Sequence, residues 1–145
     1  MISEAEWEVL RVIWANKEIT SSQIIDVLHD KKQWSASTVK TLLRRLEEKG
    51  CVVVNKEARP FYYQARVSEE EMNYQTMMHD LNHLCRTKQG RLLIRLIEDT
   101  EMTTEDLQQL AYLVETKQKT APKKVDCQCA YGQCSCTPCC CKKGN

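Results

Sequence analysis

The chain has 145 residues, enough for one ordinary domain with a helical accessory region and too few for two large cores. Its net charge of +1 excludes an argument for nucleic-acid binding from the total, so that argument must come from where the 21 basic residues lie. Nine cysteines, seven of them after residue 126, exclude a disulfide framework spread through the fold and point to one local site.

The opening segment MISEAEWEVL lacks a basic stretch followed by a long apolar run, and nothing in the chain approaches the roughly 20 apolar residues of a membrane span. The expectation is a cytoplasmic chain with no membrane partner, in reducing surroundings where clustered cysteines bind metal more often than they pair. Ser3 and Glu6 have capping-box spacing and predict a helix start, with Trp7, Leu10, Ile13 and Trp14 on its apolar side and an end near Asn16. Thr20 and Gln23 repeat the pattern for a shorter helix that buries Ile24, Ile25, Val27 and Leu28 and ends near His29. A polar turn from Asp30 to Trp34 follows.

Ser35 caps a third helix reaching about Lys49, and Gly50 sits where a left-handed terminating residue is favoured. Cys51 to Asn55 and Phe61 to Ala65, rich in Val and Tyr, read as two strands joined by a charged turn. Three helices and a hairpin over residues 1–67 make a winged helix-turn-helix domain. Ser68 and Glu71 open a further helix to about Arg86, followed by helices over Gln89 to Asp99 and Thr104 to Thr116. Amphipathic helices this short cannot bury their apolar faces on one another, so residues 68–116 read as a helical dimerisation region. Residues 117–145 form a Lys/Pro linker and a cysteine-rich tail that should stay flexible until something organises it. The fold class is therefore mainly α with a small β-hairpin wing.

On the third helix, Val39, Leu42, Leu43 and Leu46 stand at i, i+3, i+4 and i+7 and define the buried face. The opposite face carries Ser37, Thr41 and Arg44 near its centre, flanked by Lys40 and Arg45, with Glu48 further toward the C-terminus; Thr38, in the first turn, joins the candidates. Hydroxyls and helix N-terminal amides suit phosphates, and Arg and Lys reach guanine edges in a major groove. Lys56 and Arg59 at the tip of the wing can neutralise flanking phosphates. These eight residues are the candidate contacts to double-stranded operator DNA. Trp7, Trp14, Trp34 and Tyr62 read as core or anchor groups.

In the tail, Cys127-Gln128-Cys129 and Cys134-Ser135-Cys136 form two C-x-C pairs with four residues between them, Gly132 supplying turn freedom. Four convergent thiolates point strongly to a metal; zinc sites of ribbon type more often use wider spacing within each pair, and closely packed thiolates suit soft copper(I). Cys139, Cys140 and Cys141 can enlarge the cluster, receive copper from a donor, or do nothing. Cys51 and Cys85 read as small buried side chains, and His79 and His83, although four apart on one helix, as surface histidines.

AEWEVLRVIW in the first helix, STVKTLLRRLEEKG in the third and RPFYY in the wing resemble the BlaI/MecI/CopY family of winged-helix repressors over roughly residues 2–115. The resemblance implies a homodimer on a two-fold symmetric operator, with the dimer interface after the wing. The C-x-C-x4-C-x-C spacing resembles the CopY branch. It implies a Zn(II) ion held by Cys127, Cys129, Cys134 and Cys136 in the repressing form, Cu(I) as the inducer that replaces it, and copper-handling genes as targets. A copper chaperone is a Cu(I) donor that this reading admits. The antibiotic-sensing branch is cut at an Asn-Phe bond, and no Asn here precedes Phe. Metal storage would not need a shaped helix-turn-helix, and no nucleophile, base and pocket signature or phosphate-binding glycine loop suggests an enzyme.

Overall fold

The structure is a computed structural model and describes residues 1–136. Its elements run α1 (Glu4–Trp14), β1 (Ile19–Thr20), α2 (Ser21–Lys32), α3 (Ala36–Glu48), β2 (Val52–Asn55), β3 (Tyr62–Ala65), α4 (Glu69–Asn82), α5 (Arg86–Asp99) and α6 (Thr104–Gln118). They fall into two compact units, one over Met1–Thr76 and the other starting at Met77.

The first unit begins each of its first three helices with a side-chain cap. The Ser3 hydroxyl accepts the Glu6 amide while the Glu6 carboxylate accepts the Ser3 amide, and Thr20 and Gln23 do the same for α2. Ser35 caps α3 by accepting the Thr38 amide. Val9, Leu10 and Ile13 of α1, Ile24 and Leu28 of α2, and Val39, Leu42, Leu43 and Leu46 of α3 meet in one core with Ile19, Cys51 and Val52. Each fully buried leucine contributes on the order of 2 kcal/mol. Glu6 is buried beneath them at 2% exposure and is held by the Lys49 ammonium at 2.6 Å. Burial pushes its carboxyl up, but Lys49 and the Ser3 amide outweigh this and leave it below its ordinary value.

The structure departs from the sequence-based expectation at several boundaries. Helix α2 continues three residues past His29 to Lys32, and only Gln33, in the left-handed conformation at φ 58°, ends it. Residues 30–32 carry no apolar signal, yet Lys31 stays helical with its ammonium 2.6 Å from Glu8. Val27, expected in the core, is 46% exposed. The wing contains a third strand: β1 pairs antiparallel with β3, Ile19 opposite Tyr63 and Thr20 opposite Tyr62, giving a sheet in the order β1-β3-β2. The segment before α2 is thereby joined to the wing. Trp14 is an anchor as expected, its indole N–H donating to the Val67 carbonyl at 2.9 Å.

The second unit, whose boundary at Met77 falls inside α4, is built differently. Helix α4 ends at Asn82 rather than near Arg86, which already belongs to α5, and α6 runs on to Gln118 from a Thr103–Asp106 capping box. None of the three helices contains a buried residue. Leu93, Ile94, Leu96 and Ile97 of α5 and Leu107, Leu113 and Val114 of α6 are all exposed. No helix among the described residues is long and apolar enough to cross a membrane.

Candidate nucleic-acid interface and metal centre

Helix α3 buries one face through four aliphatic side chains, and that packing aims the opposite face outward. Ser37, Thr38, Lys40, Thr41, Arg44 and Arg45 are all exposed. At its N-terminal end, the Ser35 hydroxyl lies 3.1 Å from that of Ser37 and 3.0 Å from that of Thr38, while the Thr41 hydroxyl donates back to the Ser37 carbonyl at 2.9 Å. These hydroxyls sit at the positive end of the helix dipole, a favourable place for a phosphate oxygen. Further along the helix, Arg44 stands 70% exposed, 3.7 Å from Glu48, in a loose exposed pair that competes little with another partner.

The wing supplies two cations of unequal freedom. The Lys56 ammonium is 2.9 Å from the Glu47 carboxylate, which raises its pKa and partly neutralises it. The Arg59 guanidinium lies over the Phe61 ring, 5.6 Å from its centre, and Arg59 is exposed. The sequence pattern alone does not single out Glu47. A signal for it exists, since Glu47 lies on the side of α3 that leads into the wing.

Of the tail cysteines, Cys127 is buried and Cys129, Cys134 and Cys136 are half-buried. The Cys127 and Cys134 sulfurs are 3.2 Å apart, and Cys134 and Cys136 are 3.3 Å apart. Within residues 126–136, which form no helix or strand and are mostly exposed, Cys127 is the buried residue at 7% exposure. Cys85, expected from sequence to be a small buried side chain, is indeed 8% exposed, but its Sγ lies 3.5 Å from that of Cys127. The ligand atoms of Cys85, Cys127, Cys129 and Cys134 all lie within 4.8 Å of one another. Cys136 adjoins this set through Cys134. The Thr87 hydroxyl, 3.0 Å away, holds the Cys85 thiol below its ordinary value.

Four sulfurs at this spacing fit a thiophilic ion: the donors are soft, mutually close and partly shielded from water. Cys51 is separate, buried at 6% in the core of the first unit, and its burial pushes the thiol up. His79 and His83 are exposed, their rings 4.6 Å apart, and the structure adds Asp80 beside them. Cys139, Cys140 and Cys141 lie outside the described residues.

A helix-turn-helix with an outward hydroxyl and guanidinium face, flanked by a basic wing, defines a winged-helix DNA-binding protein. The chain belongs to the penicillinase repressor family, whose sequence profile matches residues 2–116. Members of this family are DNA-binding transcriptional repressors rather than enzymes; they bind operator DNA and dimerise. The chain is 40% identical over 135 residues to an uncharacterized 16.5 kDa protein in the ptsI 3′ region of Latilactobacillus sakei, covering 93% of this chain and 92% of that one. It is 29% identical over 116 residues to the methicillin resistance regulatory protein MecI of Staphylococcus aureus strain N315, covering 80% and 94%. The solution structure of the DNA-binding domain of the repressor BlaI aligns at 38% identity with a TM-score of 0.46, covering 49% of this chain and 87% of that domain. The chain is accordingly a transcriptional repressor that binds DNA.

Proposed function

We propose that this repressor is metal-responsive: a homodimer in the cytoplasm that holds a two-fold operator in its Zn(II) form and releases it when Cu(I) takes over the tail cysteines. The observation that carries the reading is the convergence of the Cys127, Cys129 and Cys134 thiols, with Cys136 only 3.3 Å beyond. Helix α3 and the wing tip supply the DNA contacts through Ser37, Thr38, Lys40, Thr41, Arg44, Arg45, Lys56 and Arg59. The exposed aliphatic faces of α5 and α6 support dimerisation, because a second copy would remove them from water.

The four thiolates would hold zinc as a tetrahedral cage; copper(I) accepts fewer sulfurs per ion and shares bridging ones, so the two metals favour different arrangements of the same chain. Cys127 and Cys134 draw the two C-x-C pairs together around Gly132, which has φ 83°. A ligand shifts a conformational equilibrium only by its differential affinity for the two states. The genes controlled would then be those that export or sequester copper.

The test is operator affinity of the purified dimer with zinc, with copper(I) and with neither, for the parent and for a variant with Cys127, Cys129, Cys134 and Cys136 replaced by Ser. The parent should bind DNA with zinc and dissociate with copper(I), and the variant should lose the copper response. A variant that dissociates at the same copper(I) concentration as the parent would refute the proposed sensor.

A further inference from the structure

We infer that Cys85 is itself a ligand of the metal centre, so that metal binding clasps residues 127–136 onto the first turn of α5. The inference rests on the reading of the tail as a metal site and revises its ligand set: Cys85, 42 positions away in the sequence from Cys127, takes the place of Cys136 as the fourth zinc ligand.

Three observations carry it. The first is geometric: sulfurs at the corners of a tetrahedral zinc site with bonds of about 2.3 Å are about 3.8 Å apart. Cys85, Cys127, Cys129 and Cys134 already lie within 4.8 Å of one another, so small shifts bring them to that spacing. The second concerns the helix start. Cys85 occupies the N-cap of α5, a place that ordinarily favours Ser, Thr, Asp or Asn. Its sulfur lies 3.5 Å from that of Cys127 and 3.0 Å from the Thr87 hydroxyl. The third is charge. Four thiolates around a divalent ion carry a net negative charge, and Arg86 and Lys88 line the same cleft as Cys85, Cys129 and Cys134. The amides of the first turn of α5 add to that positive field.

The arrangement provides a route from metal to helix. With Cys85 as a ligand, occupancy closes the chain into a loop that contains α5 and α6 and fixes the junction between α4 and α5, in the region whose apolar faces await a second chain. Cys136, adjoining the set through Cys134, then offers a fifth sulfur for a cluster of more than one soft ion.

The experiment uses the full-length protein under anaerobic, reducing conditions, comparing the parent with Cys85→Ser, Cys127→Ser and Cys136→Ser. Cobalt(II) is the probe, because its sulfur-to-metal charge-transfer intensity rises with the number of thiolates bound, and zinc affinity is read by competition. Amide hydrogen exchange over residues 83–90 is followed with and without zinc. Cys85→Ser should lose about a quarter of the charge-transfer intensity and weaken zinc binding at least about tenfold. It should also lose the zinc-dependent protection at the start of α5. Serine is a preferred N-cap, so the metal-free variant should keep the parent's helix content by circular dichroism, which separates ligand loss from misfolding.

If Cys85→Ser retains full intensity, affinity and protection while Cys127→Ser loses them, Cys85 is only packed against the site and the inference falls, leaving the tail reading intact. The inference falls equally if Cys136→Ser alone reproduces the quarter loss. If the parent binds neither cobalt nor zinc tightly, both readings fall together.

Discussion

The two units of this chain solve the burial problem in opposite ways. In Met1–Thr76, three capped helices and a three-stranded sheet enclose an aliphatic core in which Val9, Leu10, Ile13, Ile24, Leu28, Val39 and Leu46 have no exposed surface. From Met77 onward, the end of α4 and the helices α5 and α6 enclose nothing aliphatic, and the buried hydrophobic side chains among the described residues there are two cysteines, Cys85 and Cys127. Helix propensity and good caps suffice to write a helix, whereas a stable arrangement of helices needs apolar area to bury, within the chain or against another. The first unit buries its own aliphatic core; the second leaves the aliphatic side chains of α5 and α6 exposed.

The largest effect should come from the core. Leu43→Ala, at 1% exposure, should cost about 2–5 kcal/mol in urea denaturation followed by tryptophan fluorescence. Ile94→Ala, 62% exposed on α5, should leave that transition nearly unmoved and instead raise the dimer dissociation constant in sedimentation equilibrium. If both substitutions shift the fluorescence transition alike, the two units are not energetically distinct. Arg44→Ala should weaken operator binding by about 1–3 kcal/mol with dimer mass and metal content unchanged, as a gel-shift titration at fixed salt would show.

Smaller is the contribution of the buried carboxylate. Glu6→Gln retains an acceptor for the Ser3 amide but removes the charge facing Lys49, for a loss of about 1 kcal/mol at neutral pH, between exposed and fully buried pairs. Because the folded chain holds Glu6 below the ordinary 4.5, the stabilisation is complete above that value and disappears as pH falls through the lower folded value. Parent and variant should therefore converge in stability on acidification below about 4.5, and a gap that persists there would assign the effect to packing. The smallest effect belongs to the wing: Lys56→Ala should weaken DNA binding less than Arg59→Ala, since Glu47 already engages Lys56. The slope of log affinity against log salt should fall by about 1 for Arg59 and by less for Lys56.

What was legible in the sequence follows the range of the interaction concerned. The helix starts at Ser3, Thr20 and Ser35 were readable because each cap involves residues three apart. The exposed face of α3 was readable because four apolar residues at helical spacing define its opposite. Strand β1 was not: two residues, Ile19 and Thr20, become a strand only by pairing with Tyr63 and Tyr62. Nor was the end of α2, where exposed residues stay helical through the contact of Lys31 with Glu8. The same holds for the thiol cluster. The C-x-C pairs announce themselves locally, but the place of Cys85 depends on how the chain returns to the start of α5, which no local pattern encodes.

The indole of Trp14 has a use beyond anchoring. It lies edge-on to Trp7, with ring centres 5.5 Å apart, and its N–H is bonded to the carbonyl of Val67, the residue at which the chain leaves the wing domain for α4. Two of the chain's three tryptophans therefore lie in ring contact beside that exit. If the exit shifts when metal or DNA binds, breaking the bond would alter the polarity around one ring and the exchange of excitation between the two. Emission from the unlabelled protein, with Trp34→Phe to remove the third fluorophore, would then follow the event in real time.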